Sequence, residues 1–179
     1  MGRLGVMALT ALVAATAIGC ATMSVGSHVE RGLDFATYRT FDWGPPDELP
    51  TGDPRLDGDA FFKDHVLGAV EKQLRHRGLE MSSSPDLRIH YHASIAKRVN
   101  VSGVDKERGY CYTDNCQTEI SEYEAGTLVL DIVDARTNRV IWRGWAQDAV
   151  DDMLENRSTM ERKINEAVTR ILDRLPGTL

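Results

Sequence analysis

The feature that most limits this chain lies at its start. From Leu4 to Ile18 no residue is charged, and residues 1–19 hold 13 apolar side chains against one cation, Arg3. The run is shorter than the ~20 apolar residues that a helix needs to cross a bilayer. A short cationic start, an apolar stretch and a small-residue end form the pattern of a secretory signal peptide. A chain that opens this way folds after export, in an oxidising compartment, from what is left once the signal is gone. No later stretch is long and apolar enough to span a membrane.

The apolar run closes on Ala17-Ile18-Gly19-Cys20. This resembles the lipobox of bacterial lipoproteins, where an aliphatic or small residue, a variable residue and Gly or Ala precede a cysteine. Ala17 stands where Leu is more usual. The resemblance implies that the Cys20 thiol receives a diacylglycerol, that the signal is cut before it, and that the new amine is acylated. One acyl chain binds a membrane only marginally, whereas two or more hold it stably. The implied anchor therefore needs no help from the fold. In that family Asp after the cysteine favours the inner membrane, so Ala21 implies the outer membrane and a domain facing the periplasm. An ordinary secretory signal that happens to contain a cysteine is the plainer alternative.

Residues 20–179 then make the mature chain, and loss of Arg3 takes its net charge from −6 to −7. That length suits one domain. The chain divides into a signal peptide over 1–19, a lipidated cysteine with a small, polar tether over 20–32, and a single domain over 33–179. An acidic balance argues against nucleic acid as a partner, because phosphate binding rests on cationic side chains.

Cys111 and Cys116 lie in Gly-Tyr-Cys-Tyr-Thr-Asp-Asn-Cys-Gln. Asp114 and Asn115 between them suit a tight turn, and an exported protein favours a bridge across a short hairpin. A loop so short would add only roughly 2 kcal/mol. A redox-active pair has less support, since the spacing is not Cys-x-x-Cys and no βαβ unit surrounds it. A zinc site has less still, because no second pair stands at metal spacing.

Residues Asp34 to Trp43 are rich in aromatics and Thr and predict a first strand, with Phe35, Phe41 and Trp43 on one face. Gly44 to Gly58 holds four of the six prolines and is a loop. Asp59 caps a helix over Ala60–Arg77 that Gly78 ends, with Phe62, Val66, Ala69, Val70 and Leu74 as its buried stripe. Asp86 to Ile95 alternates as a second strand with Leu87, Ile89, Tyr91, Ala93 and Ile95 inward. The polar stretch 97–125 carries the cysteine pair in an irregular hairpin. Thr127–Asp134 and Val140–Ala146 form a hairpin across the turn Arg136–Arg139. Ser158 and Glu161 form a capping box for a last helix, whose apolar face is Met160, Ile164, Ala167, Val168, Ile171 and Leu175. The order β-α-β-β-β-α predicts an α+β fold: a mostly antiparallel sheet of about four to six strands with two amphipathic helices on one face.

These pieces carry a second resemblance. Tyr38-Arg39-Thr40-Phe41-Asp42-Trp43, a helix ending on Gly78, Pro85-Asp86-Leu87, Gly126-Thr127-Leu128, Asp131 with Asp134, Ile141-Trp142-Arg143-Gly144 and a final helix ending on Leu175-Pro176 follow in order. Over roughly 33–176 this resembles the bacterial envelope lipoproteins of domain-of-unknown-function family 4136. The resemblance implies the fold and the envelope location. It brings no catalytic residue, and the cysteine-bearing insertion departs from it.

Several constellations invite chemistry. His90 and His92 share one face of a strand and could together hold a metal, but no third ligand is apparent, and solvated histidines on a polar face account for them. Asp53, Asp57, Gly58 and Asp64 fall near a calcium-loop register. However, Arg55 sits where an oxygen ligand belongs, and a loop leading to the Asp59 cap accounts for them. Ser94-Ile95-Ala96-Lys97 spells a serine–lysine pair on a strand, without the helix start and partner motifs that such enzymes require. Trp142 and Trp145 fall on opposite faces of one strand, so one belongs to the core and the other can anchor a partner.

Three functions follow. A non-catalytic structural or accessory binding module, tied to the membrane by Cys20 and meeting an envelope protein, is favoured, with no cofactor and no metal. A carrier of a lipid or small hydrophobic ligand would need an elongated apolar cavity between sheet and helices. A hydrolase-like enzyme would need a deep pocket lined by His90, His92 and a carboxylate.

Overall fold

The computed structural model describes residues 23–45, 51–102 and 119–177. Cys20, Cys111 and Cys116 lie outside the described residues, and the lipidation and disulfide expectations with them. Six strands form one sheet: β1 (Ser24–Val29), β2 (Thr40–Trp43), β3 (Glu80–Met81), β4 (Leu87–Ser102), β5 (Glu119–Asp134) and β6 (Arg139–Ala149). Their spatial order is β1-β6-β5-β4-β2-β3. Neighbours are antiparallel except β2, which runs parallel to both β3 and β4. Two long helices, α1 (Ala60–His76) and α3 (Arg157–Leu172), and the short α2 (Asp151–Glu155) complete an α+β fold.

The helices form where the sequence predicts. The Asp59 carboxylate accepts the Phe61 and Phe62 amides and so starts α1, and the expected stripe from Phe62 to Leu74 is buried. Gly78, at φ +81°, takes the left-handed turn that ends it. α3 differs at its start. Asn156, not Ser158, is the cap, and its side-chain oxygen accepts the Ser158 and Thr159 amides. Asn caps as well as Ser does, so the helix begins earlier than the capping box suggests. Both helices pack on one face of the sheet. Gln73 Nε2 of α1 donates to Thr169 Oγ1 of α3 at 2.9 Å, and Trp43 Nε1 of β2 donates to Glu71 Oε1 of α1 at 3.1 Å. Beneath them lie Phe41, Leu87, Ile89, Leu130, Ile132 and Trp142, all fully buried.

Three strand readings change. The residues read as a tether include β1, which pairs with β6 from Ser24↔Gln147 to Val29↔Trp142. Their mostly small and polar side chains gave little apolar signal because an edge strand buries little; Met23, just before β1, enters the core and Val25 packs against it. The first predicted strand, Asp34–Trp43, splits into a 3-10 turn at Phe35–Thr37 and β2. The Asp34 carboxylate accepts the Ala36 amide and sets that turn, so local capping overrides strand propensity. Finally, β4 and β5 run well into the stretch read as polar insertion and pair out to Ser102↔Glu119.

Several residues of the sequence pattern have structural duties. Asp86 accepts the Arg39 and Thr40 amides and the Thr40 hydroxyl, which holds β2 beside β4. These donors keep its carboxyl below the usual carboxylate range. Burial pushes the Asp134 carboxyl up, but the Thr137 amide and hydroxyl and the Tyr38 hydroxyl outweigh it and hold it low. A Cβ on Gly144 would stand 2.3 Å from Trp142 Cη2 and 2.6 Å from Ile171 Cγ2, so only glycine lets α3 close on β6.

Candidate functional site

Helices cover one face of the sheet, and no described element covers the other. On an antiparallel sheet, paired residues share a face and form rows across the strands. The central row of the uncovered face runs His28 (β1), Arg143 (β6), Asp131 (β5) and His90 (β4), and the His90 ring continues it by lying against Gly44. The next row is Gly26, Trp145, Val129 and His92. The third is Ser24, Gln147, Thr127 and Ser94, where Gln147 Nε2 donates to Thr127 Oγ1 at 3.1 Å.

Asp131 is the chemical centre of this face. It is 4% exposed, and Arg143 grips both its oxygens, Nε to Oδ1 and Nη2 to Oδ2, each at 2.6 Å. Such a two-pronged contact fixes the guanidinium plane as well as its charge. The bond to Asp131 raises the Arg143 pKa above its ordinary value. His92 Nε2 stands 3.4 Å from Asp131 Oδ2. Trp145 is 37% exposed, and its ring lies over Gly26, where a Cβ would come within 2.2 Å of it. Glycine at that point of the edge strand lets the indole lie flat across the neighbouring strand.

The structure thus brings His90, His92 and Asp131 together. They line an open depression of about 400 Å³ with Arg88, Val133 and Val140. Among the described residues no group of three or more His, Cys, Asp or Glu is arranged to hold a metal. Both Asp131 oxygens are bound to Arg143, so the carboxylate and the guanidinium hold each other in a fixed orientation. The other sequence constellations separate. Ser94 and Lys97, three apart on β4, point to opposite faces. Two acids of the calcium-like loop are engaged within it: Asp53 binds the Arg55 guanidinium and amide, and Asp57 accepts the Thr51 amide and hydroxyl, while Asp64 lies on α1. Arg55 also reaches Glu124 at 2.7 Å and ties this loop to β5. The Arg55 hydrogen bond draws the Asp53 carboxyl down to about 2.

Sequence reasoning missed the pairing of Asp131 with Arg143, although both stand in the quoted pattern. Mirroring the hairpin about its turn sets Asp131 opposite Trp142. A bulge between Ile132 and Val133 in the ladder, which leaves Ile141 extra on β6, shifts the register by one and puts Arg143 there instead. Two opposite charges near mirrored positions of a predicted hairpin were the only available signal. Trp142 and Trp145 divide as expected, the first buried and the second exposed.

The model of a family described as domain of unknown function DUF4136 matches residues 25–177. The chain belongs to this family. The match takes in β1, so the family domain begins earlier than the sequence-predicted boundary at 33. No curated protein matches the chain. Among solved structures, a PDZ domain protein from Parabacteroides distasonis is similar at a TM-score of 0.54 and 16% identity. The similarity covers 88% of this chain and 37% of that one, so this chain spans about a third of that protein. A PelC dodecamer from Paraburkholderia phytofirmans is similar over 84% of this chain and 95% of that one, at 10% identity and a TM-score of 0.45. At such identities the first likeness speaks for the fold alone. Within this DUF4136 domain, Asp86, Asp134 and Gly144 serve the fold, while Asp131 and Arg143 build the surface of the uncovered face.

Proposed function

We propose that this DUF4136 protein is a non-catalytic binding module of the bacterial cell envelope, held by a lipid on Cys20 at the periplasmic side of the outer membrane. It meets an envelope protein partner with the uncovered face of its sheet. One observation carries the reading. A half-exposed Trp145 stands over Gly26, two residues along β6 from a guanidinium held by a buried carboxylate, and Trp and Arg are the side chains that most often anchor interfaces. Preorganisation lowers the entropy that binding would otherwise lose.

The carrier reading finds less support. The apolar space between sheet and helices, beside Met23, Phe62 and Ile164, is about 60 Å³. A cavity of roughly 150 Å³ is what holds a single benzene, so an acyl chain does not fit without repacking. The enzyme reading rests on the His90, His92 and Asp131 depression, where the carboxylate is already engaged by Arg143.

Two measurements test the proposal. Cys20→Ser is expected to move the protein from the membrane fraction to the soluble periplasm, and continued membrane attachment would remove the anchor. Crosslinking in cells is expected to yield a discrete partner with the native chain and to lose it with Trp145→Ala. The same partner at the same yield from that variant would remove the uncovered face from the reading.

A further inference from the structure

The β4–β5 hairpin outgrows the rest of the sheet. Ser24, Gln147, Thr127 and Ser94 form one row across four strands. Beyond that row β6 continues only to Ala149, while β4 runs on through Ile95 to Ser102, paired throughout with β5. At ~3.3 Å per residue the end of this arm stands roughly 26 Å beyond that row, and its last six residues on β4, Lys97 to Ser102, have no β6 beside them. Its pairing keeps the register of the helix-covered face, so Val99, Val101 and Ile120 continue the stripe of Leu87, Ile89 and Tyr91 after the helices have stopped. The three side chains are 59%, 56% and 66% exposed, and Val101 stands directly opposite Ile120. The other face carries Arg98 opposite Tyr123. The apolar patch is bounded on its own face by Glu122, opposite Val99, and by Lys97, opposite Glu124, which Arg55 holds. An exposed apolar stripe on a two-stranded ribbon is a surface that association normally covers.

The position of the chain start indicates what covers it. β1 runs antiparallel to β4, so its first residue, Ser24, lies at the end from which the arm projects. Cys20 is four residues before Ser24. Fully extended, that leash spans at most ~14 Å, about half the distance from that row to the end of the arm. A bilayer reached by the shorter leash is met by the longer arm beside it. We propose that Val99, Val101 and Ile120 dock into the interfacial layer of the bilayer that holds the anchor, as a second and non-covalent membrane contact. The amphipathic pairing of Tyr123 and Arg98 suits the headgroup level on the opposite face. The contact rests on the lipid anchor proposed above. It fixes the tilt of the domain, which a single lipidated residue does not.

The test uses the full lipidated chain in vesicles of phosphatidylethanolamine and phosphatidylglycerol, with photoreactive benzoylphenylalanine replacing Val101 in one sample and Glu80 in another. Glu80 lies on β3 at the opposite end of the sheet. Illumination is expected to give a phospholipid adduct at position 101 and none at position 80. The triple variant Val99→Ser, Val101→Ser, Ile120→Ser is expected to float with vesicles as the native chain does, yet to gain protease sensitivity at the arm. Adducts from position 101 only to protein, or a native chain on vesicles with no lipid adduct, would overturn the docking while leaving the anchor intact. A native chain absent from the vesicles would overturn both.

Discussion

The two faces of the sheet are made by alternate residues of the same strands, yet they solve different problems. On the helix-covered face, Leu130, Ile132 and Trp142 are buried under α1 and α3, and the absence of a Cβ at Gly144 is what allows contact. There the free energy comes from apolar area, and shape limits it. On the uncovered face the same strands present Val129, Asp131, Arg143 and Trp145. Order comes from a charged pair and an indole lying on Gly26, with no described element above. A face held this way keeps its geometry without being filled, and so can receive something else.

The comparison breaks first at neighbouring residues of β5. Leu130→Ala is expected to lower stability by about 2–5 kcal/mol, since a fully buried leucine leaves a cavity. Val129→Ala, facing the other way, is expected to lower it by less than half as much. Urea unfolding of both measures the contrast, and equal losses would mean that the uncovered face is packed after all. Next comes the charged pair. Arg143→Ala strands a buried carboxylate and is expected to cost about 1–3 kcal/mol, because an unsatisfied buried acceptor bears its full desolvation penalty. Asp131→Ala is expected to cost less, since the half-exposed guanidinium turns to water. Trp145→Ala is expected to cost under about 1 kcal/mol, the scale of one cross-strand aromatic contact, while abolishing partner crosslinking.

The smallest effect is a pH dependence. The Asp53 carboxyl is drawn down to about 2 by Arg55, so folding favours its ionised form. Its contribution is fully present above the ordinary carboxylate range near 4 and is lost as pH falls through about 2. Asp86 and Asp134, also held low, act in the same sense. The difference in melting temperature between the native chain and Asp53→Asn is therefore expected to shrink between pH 4 and pH 2. A constant difference would show that the carboxylate acts through shape alone.

What the sequence disclosed follows the same division. The covered face was legible because burial writes a period into the chain: Phe62 to Leu74 every three or four residues, and Leu87 to Ile95 every second one. The α1 cap at Asp59 and the split of Trp142 from Trp145 were legible for the same reason. The uncovered face was not. Its central pair depends on a one-residue bulge at Ile141, which no alternation announces. β1 left no signal because an edge strand with one paired side needs only backbone groups, and Ser24, Gly26 and Ser27 supply those without apolar side chains. The α3 cap moved to Asn156 because two adjacent segments each offered a competent capping residue.

β1 also bears on the order of assembly. β4, β5 and β6 follow one another along the chain and pair in that order as a meander. β1 precedes them all, and its partners in β6 lie some 120 residues downstream. Non-local pairing is slow because chain closure comes before any contact rewards it. β1 is therefore expected to join the sheet last, which pulsed hydrogen exchange during refolding would read as late protection of its amides. Until the rest of the domain has folded, it waits as a polar, glycine-bearing segment with little tendency to pair elsewhere.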